Sequence, residues 1–472
     1  MVTNQTLTEI LTDKCLIPQP GDIPESSYQA AKKLLLDTLG CALAGRKAPG
    51  IDDIIKQMSD WGGKAESTIL LCGSRVPCPH AAFANSAMIH AQDYDDVYIP
   101  GLLHITSVVV PPALALAERE KISSKEMLAA MIMGIETAAR IARAETPLRR
   151  GMGFLPSSTA GGFGAVMAAA RLMKLSPGQC VNAMGINYAQ CSGNRQALLD
   201  QTLTKRIQPG FSVRSALWAA SLAANKITGP KNALEGNAGY FKVYMNGTVP
   251  EPDVFRNDRK QLAVERVSIK RYPSCGGCHH AQDAALKLRE EENLKPEEIE
   301  KVEIFNCGPG GLVGNPFHLG ENPQVNVQFS VAWAVAHALL RGKALLKDYT
   351  NECIRADREV VKLAKAIGYA AAPEKIKRME NIPEGYGQNH GKAQGVIVYT
   401  RDGRTLVRGQ YPADTFPPGT QTFEDVIPKF MDCAAFSGLR TPDQAAEMVE
   451  TIRNLDQAQS IHPLLNLFQN KS

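Results

Sequence analysis

Apolar side chains recur every three or four positions from near the start of the chain to about Leu262, the spacing of helices that bury one face. Leu34, Leu35, Leu39 and Leu43 predict a helix over Ser26–Gly45, with Ser26 and Ser27 available as caps and Gly45 as its stop. Pro79–Ile89 and Thr106–Lys121 read as two helices on either side of a polar loop. Ser123 and Glu126 have capping-box spacing, in which a hydroxyl and a carboxylate three residues later satisfy reciprocal backbone donors, and Met127–Arg143 follows as the helix. Ser176-Pro177 opens another, because proline's missing N–H costs nothing in a first turn, and Ser192-Gly193 closes it. A further helix is predicted from Pro209 to Thr228, stopped by Gly229-Pro230. Ser158–Leu172 is rich in Gly and Ala, and small side chains let helices approach closely, so this stretch is expected at the centre of the bundle. Its glycines do not read as a phosphate cradle, because no strand precedes them.

Beyond Leu262 the period changes. Ala263–Lys270 and Lys301–Phe305 alternate as strands, and Gly395–Thr400 with Thr405–Gln410 flank Asp402-Gly403, a hairpin signal because both central residues accept positive φ. Helical stretches at His279–Glu292, Gln328–Arg341 and Arg355–Ile367 are interleaved with them. After about Phe416 the chain is helical again, with Thr441-Pro442-Asp443-Gln444 combining a capping box with proline at the first helical position. The pattern predicts a mainly α protein: a large all-helical domain made from both chain ends, residues 1–265 plus 411–472, with an inserted α+β lid domain, residues 266–410. Clefts between domains are favoured ligand sites, so the active site is expected at that boundary.

Composition narrows the function. At 472 residues and 44% hydrophobic the chain has material for two or three cores. Lys+Arg 52 against Asp+Glu 48 leaves only +4, without a basic run, so a nucleic-acid partner has no electrostatic support, whereas a small anionic substrate is compatible. No apolar segment is long enough for a membrane span and the first residues lack signal-peptide order, so the expected location is cytoplasmic. Eleven scattered cysteines fit reduced thiols. Cys275-Gly-Gly-Cys278 with His279 and His280 has metal-like spacing, but no second pair completes a four-ligand site, and no metal is expected there.

Three stretches could carry chemistry. His90-Ala91-Gln92-Asp93-Tyr94-Asp95-Asp96, followed by His104, packs histidines and carboxylates into a loop held between two helices, where catalytic groups concentrate. Its bland alternative is a solvated acidic loop with one helix-capping Asp. Thr204-Lys205-Arg206 before Pro209-Gly210 puts a basic pair at a helix entrance, suited to a carboxylate ligand, or else on an exposed loop. Lys270-Arg271-Tyr272-Pro273-Ser274-Cys275, leading into His279, can supply a cation, a proton acceptor and a proton donor on a strand-to-helix connection, although a lone Cys is also a common buried apolar residue.

Together and in this order, these segments resemble the MmgE/PrpD family, which includes 2-methylcitrate dehydratase, cis-aconitate decarboxylase and iminodisuccinate epimerase. The matching stretches are His90–Glu118, Gly153–Leu175, Thr204–Gly210 (TKRIQPG), Lys270–Asp283 and Gln328–Gly342. The resemblance implies a helical domain built from both chain ends, an inserted lid, a homodimer, and work on small di- and tricarboxylates without metal or organic cofactor. By position it assigns Asp93, His104, Lys205, Lys270 and Cys275 to catalysis, with Arg206, His279, Gln208, Leu155 and Trp333 as substrate-binding positions. The chemistry is coherent, since proton removal beside a carboxylate makes an enolate-like dianion that lysines can stabilise while His104 exchanges the proton.

Departures from the family pattern bear on the reaction. Leu155 stands where a His is common, Val97 where Thr is, Gln208 where His is, and Trp333 where Tyr is. A dehydratase must protonate a departing hydroxide, which Leu155 cannot do. The expected activity is a cofactor-independent lyase acting by proton abstraction next to a carboxylate, a 2-methylcitrate dehydratase-like carbon–oxygen lyase first. An epimerase using His104 and Cys275 as opposed bases comes second, and a decarboxylase third. From a different class, an inactive family fold that binds carboxylates or a protein partner also fits the missing polar groups.

Overall fold

The computed structural model describes residues 5–148, 153–258, 260–308, 312–382, 386, 388–417 and 419–469. The chain is mainly α, and it divides into two compact units. The first comprises Met1–Gln196, Thr204–Ile269 and Gly419–Ser472, and the second comprises Ala197–Leu203 and Lys270–Pro418.

The first unit is a helical bundle around Ala160–Leu172, every residue of which is buried. The helices Thr106–Arg119, Ser124–Glu145, Pro177–Tyr188 and Thr204–Ala224 surround it. Its small residues permit the crossing: a Cβ on Gly164 would lie 2.5 Å from the Gly134 carbonyl oxygen and 2.7 Å from Ala138 Cβ. Such distances exclude a side chain there, because packed interiors have no slack at that scale. The chain's C-terminal part returns to this unit, where the Ile427–Ser437 helix packs on Glu25–Gly45 with Phe430 Cδ2 3.2 Å from where a Gly40 Cβ would stand.

Capping explains several helix starts. Thr441 and Gln444 form the reciprocal box, as do Ser176 and Gln179. Ser123 makes only half of one: its Oγ accepts the Glu126 N–H, while the Glu126 carboxylate reaches Arg171 at 3.4 Å instead. Glu25–Gly45 is led by Pro24 rather than by a serine, and Ser27 is buried, donating to Glu265 at 2.6 Å.

Two sequence expectations are corrected in this unit. Ala263–Lys270 is not a strand. Ala263–Arg266 forms a turn of 3-10 helix, and Ser268 then makes an isolated antiparallel bridge with Val97. The alternation there buries Val267 and Ile269 along an extended segment that pairs with no sheet. The helix expected from Pro209 begins instead at Thr204, with Pro209 inside it. Only one turn precedes the proline, so the bond its missing N–H forfeits is to the Lys205 carbonyl at the helix entrance.

The second unit is α+β. Its sheet runs Gly368–Ala370, Ile299–Phe305, Gln394–Thr400, Thr405–Gln410, parallel in the first pairing and antiparallel in the other two. The hairpin turns at Asp402-Gly403, where Gly403 takes φ 88°. Val302, Ile304, Val396 and Val398 face a core shared with the helices Gly276–Glu291 and Val331–Arg341.

Candidate active site

The Cys78–His90 helix ends where the polar loop begins, and the loop turns sharply at once. Asp93 adopts φ 49°, a left-handed conformation that aspartate takes more readily than most side chains. Its N–H donates to the His90 carbonyl at 3.1 Å. At the far end Asp96 caps the next helix: its carboxylate accepts the N–H groups of Ile105 at 3.2 Å and Thr106 at 3.0 Å, together with the Thr106 hydroxyl. Burial, and then the neighbouring Asp95, push the Asp96 carboxyl up to about 7. One aspartate of the cluster is thus a helix cap, as the bland reading of the loop allowed, and the others face elsewhere.

Lys205, in the first turn of Thr204–Ala224, donates to the Asp93 carboxylate. The two side chains are only 9% and 2% exposed, so the contact is a buried charge pair and not a solvated one. Arg206 beside it is buried as well, donating to the Pro49 carbonyl at 2.7 Å. Burial draws its guanidinium down to about 10, against the opposing pull of Asp93.

His104 stands over this pair, its Nε2 4.0 Å from Asp93 Oδ1. Its Nδ1 lies 2.8 Å from the Asp96 carbonyl oxygen. A carbonyl only accepts, so Nδ1 carries the hydrogen and the neutral ring presents its basic Nε2 toward Asp93 and Lys205. Asp95 lies behind, 3.6 Å from His104 Nδ1 and 2.7 Å from His90 Nδ1. The backbone N–H of His104 donates to Ser157 Oγ at 2.9 Å. Burial lowers the His90 ring's proton affinity, with Asp95 opposing. The result is a histidine held at three points, with a carboxylate behind it to stabilise its charged form.

Leu155 and Gln208 also belong to this unit. Leu155 lies just before the Ala160–Leu172 helix, two residues from Ser157, and its carbonyl accepts the Ser158 N–H at 2.9 Å. Gln208 spends both ends of its amide on Asn194, accepting from its N–H at 2.8 Å and donating to its carbonyl at 3.0 Å.

The remaining candidates lie in the second unit. Lys270 is 1% exposed. Cys275 is the cap of Gly276–Glu291, with its N–H donating to the Gln328 carbonyl at 2.8 Å. His279 is fully buried between Tyr272 and Phe416. Its Nε2 lies 3.2 Å from the Ser274 carbonyl, which leaves Nδ1 bare and without a hydrogen-bond partner among the described residues. Burial first, and then the Lys270 ammonium, hold this ring well below the ordinary histidine range, so it is neutral. Trp333 is packed against His337 and Tyr349. It lines a pocket of 540 Å³ with Arg341, Asp348 and Asp357, whose walls include none of the other candidates.

The structure therefore assembles Asp93, His104, Lys205 and Arg206 within one unit, and Lys270 with His279 in the other. His90, Asp95, Asp96 and Ser157 complete the first group without having been assigned roles from sequence. The polar cluster around Asp93 contained the signal for three of them; nothing local marked Ser157. Among the described residues, His90, Asp95 and His104 are also the one grouping of three whose donor atoms, within 4.8 Å of one another, could hold a metal ion. No described helix is long and apolar enough to cross a membrane.

Comparison with known proteins places the chain in a family. The model of the MmgE/PrpD N-terminal domain matches residues 10–253 and that of the MmgE/PrpD C-terminal domain matches residues 272–457. Cis-aconitate decarboxylase of Aspergillus terreus is 25% identical over 94% of this chain and 92% of its own length. Cis-aconitate decarboxylase of Homo sapiens is 25% identical over 96% and 92%. A cis-aconitate decarboxylase-like protein, oryM, of Aspergillus oryzae is 29% identical over 57% of this chain and 59% of its own length. With both domain models matched in order, the chain belongs to the MmgE/PrpD family and is a lyase.

Proposed function

We propose that this lyase acts without a cofactor on a small di- or tricarboxylate, moving a proton beside a carboxylate, and that its reaction is a decarboxylation of the cis-aconitate kind. The observation that carries the acid–base assignment is His104, its Nδ1 committed to a carbonyl and its Nε2 turned to the Asp93–Lys205 pair. In a decarboxylation the carbon–carbon bond to the departing CO2 breaks and its electron pair stays on the remaining chain. Lys205 and Arg206 hold the substrate's other carboxylates, and His104 in its charged form delivers the proton that quenches the carbanion. Lys270 and Cys275 are proposed to serve the same reaction.

Leu155 favours decarboxylation over the dehydration expected first, since CO2 leaves without needing a proton and hydroxide does not. The relatives named as cis-aconitate decarboxylases support the same choice. Incubation with cis-aconitate, 2-methylcitrate and iminodisuccinate in D2O, followed by NMR, separates the readings. CO2 release with one deuterium incorporated is expected from cis-aconitate. Net water loss from 2-methylcitrate would establish the dehydratase reading instead, and solvent exchange without net change would indicate an epimerase.

A homodimer is proposed from the resemblance, and one face of the first unit suits it. Phe211, Trp218 and Leu222 form a stripe along Thr204–Ala224, with Trp218 47% and Leu222 43% exposed. Apolar surface of this kind is more often covered than left to water. Sedimentation is expected to give twice the 51.1 kDa chain mass, and Trp218→Glu to shift it toward the monomer; an unaltered dimer would clear this face of the role.

A further inference from the structure

Behind the Asp93 loop lies another buried charge pair, made by segments far apart in sequence. Lys429, in the Ile427–Ser437 helix, reaches Asp37 of the Glu25–Gly45 helix at 2.6 Å, their side chains 10% and 0% exposed. The same ammonium donates to the backbone carbonyl of Tyr94 at 2.7 Å. It also stands 3.8 Å from the centre of the Tyr94 ring, whose face is electron-rich. Tyr94 is the residue between Asp93 and Asp95. Burial works against the charge on Lys429, while Asp37, Cys41 and Cys433 together favour it, and on balance its affinity for the proton is raised.

Packing of the two helices does not require this arrangement. Phe430 and Cys433 already close on Gly40, and a buried ion pair adds little net stability compared with apolar side chains of the same size. What the pair does specifically is hold the loop at the residue that follows its left-handed turn, since Asp93 has φ 49° and Tyr94 comes next. We propose that Lys429 is a positioning residue for the reaction: by gripping Tyr94 through both carbonyl and ring, it sets the Asp93 carboxylate against Lys205 and the Asp95 carboxylate against His104. The assignment rests on the catalytic reading of Asp93 and His104. It gives the chain's C-terminal part a role in the acid–base site, from 335 residues away.

The test removes both charges at once. Asp37→Leu/Lys429→Met takes away the pair together, and buried Lys33, which Asp37 also supports, keeps its bond to the Gln421 carbonyl, so the double variant is expected to fold, as replaced buried pairs commonly do. Amide exchange at residues 93–97 is expected to accelerate by about tenfold or more while the Ala160–Leu172 helix is unaffected. The titration midpoint of the His104 ring, followed by NMR, moves as Asp95 loses its fixed place. Turnover of cis-aconitate falls with little change in KM, and Lys429→Arg, which keeps the charge, recovers part of each loss. A folded double variant with wild-type exchange at 93–97 and an unmoved His104 titration overturns the proposal.

If the double variant does not fold, Asp37→Asn/Lys429→Gln decides, because amides keep hydrogen-bonding groups between the helices while the ammonium that holds Tyr94 is removed. Unchanged exchange and titration in that variant refute the positioning role. Neither readout needs turnover, so the catalytic reading fails separately, through His104→Ala.

Discussion

Replacing His104 with alanine is expected to lower turnover by about 100- to 10,000-fold, the usual contribution of a positioned acid–base group. The folded state should barely register the change. The His104 side chain is 19% exposed, and its Nδ1 donates to the Asp96 carbonyl. A net loss of about 1 kcal/mol is the scale for one such bond, and water can enter to satisfy the carbonyl. Parallel measurement of turnover and thermal unfolding separates the two effects. Full activity in the variant, or loss of the fold, would show that His104 is not the acid–base group.

Mild acid is expected to unfold the second unit before the first. His279 and His280 are buried and neutral there. Burial, aided by Lys270, His280 and Arg271, holds His279 well down, and burial with His390 and Arg271 draws His280 to about 3. His337 is lowered as well, by burial against the opposing pull of Asp348. Their folded affinities for protons lie below that of an unfolded histidine, near 6.5, so the unfolded chain binds more protons below that pH and stability falls as pH falls. From pH 6.5 to 5, an imidazole that stays neutral, as that of His280 does, costs about 1.7 kcal/mol, and His279 acts in the same direction.

The first unit is buffered against the same change. His90 moves it in the same direction, but Asp96, raised to about 7, holds a proton in the folded state over this window where an unfolded aspartate is ionised, so its contribution rises as pH falls. Amide exchange in Gly276–Glu291 should therefore rise between pH 6.5 and 5 ahead of exchange in Ala160–Leu172. His280→Gln, which cannot titrate, should flatten the second unit's slope by about 1.4 kcal/mol per pH unit. Equal acid sensitivity in both helices would contradict the assignment of neutral, buried rings.

Much of the fold was legible in local pattern because the signals concerned are local. The Asp402-Gly403 turn set its hairpin, and Thr441 with Gln444 set a helix start. A glycine's freedom at positive φ and a hydroxyl's bond to an N–H three residues on involve no distant partner. Where an outcome depended on such a partner, the pattern misled. Ala263–Lys270 alternates as a strand does, yet among the described residues it pairs only through the single bridge to Val97. Pro209 reads as a helix start, yet Thr204 and Lys205 extend the helix before it.

For the site, the sequence alone determined which residue types were crowded together around Asp93 and His104, and that a basic pair opened a helix. Only the tertiary structure decided that Lys205 meets Asp93 across 112 positions, that Asp95 backs His104 while Asp96 caps a helix, and that Lys429, paired with Asp37, reaches Tyr94. The reason is physical. Spacing along a chain specifies neighbours within a turn or a hairpin, whereas a buried charge takes whichever partner the packed helices bring to it, since it has no water to fall back on.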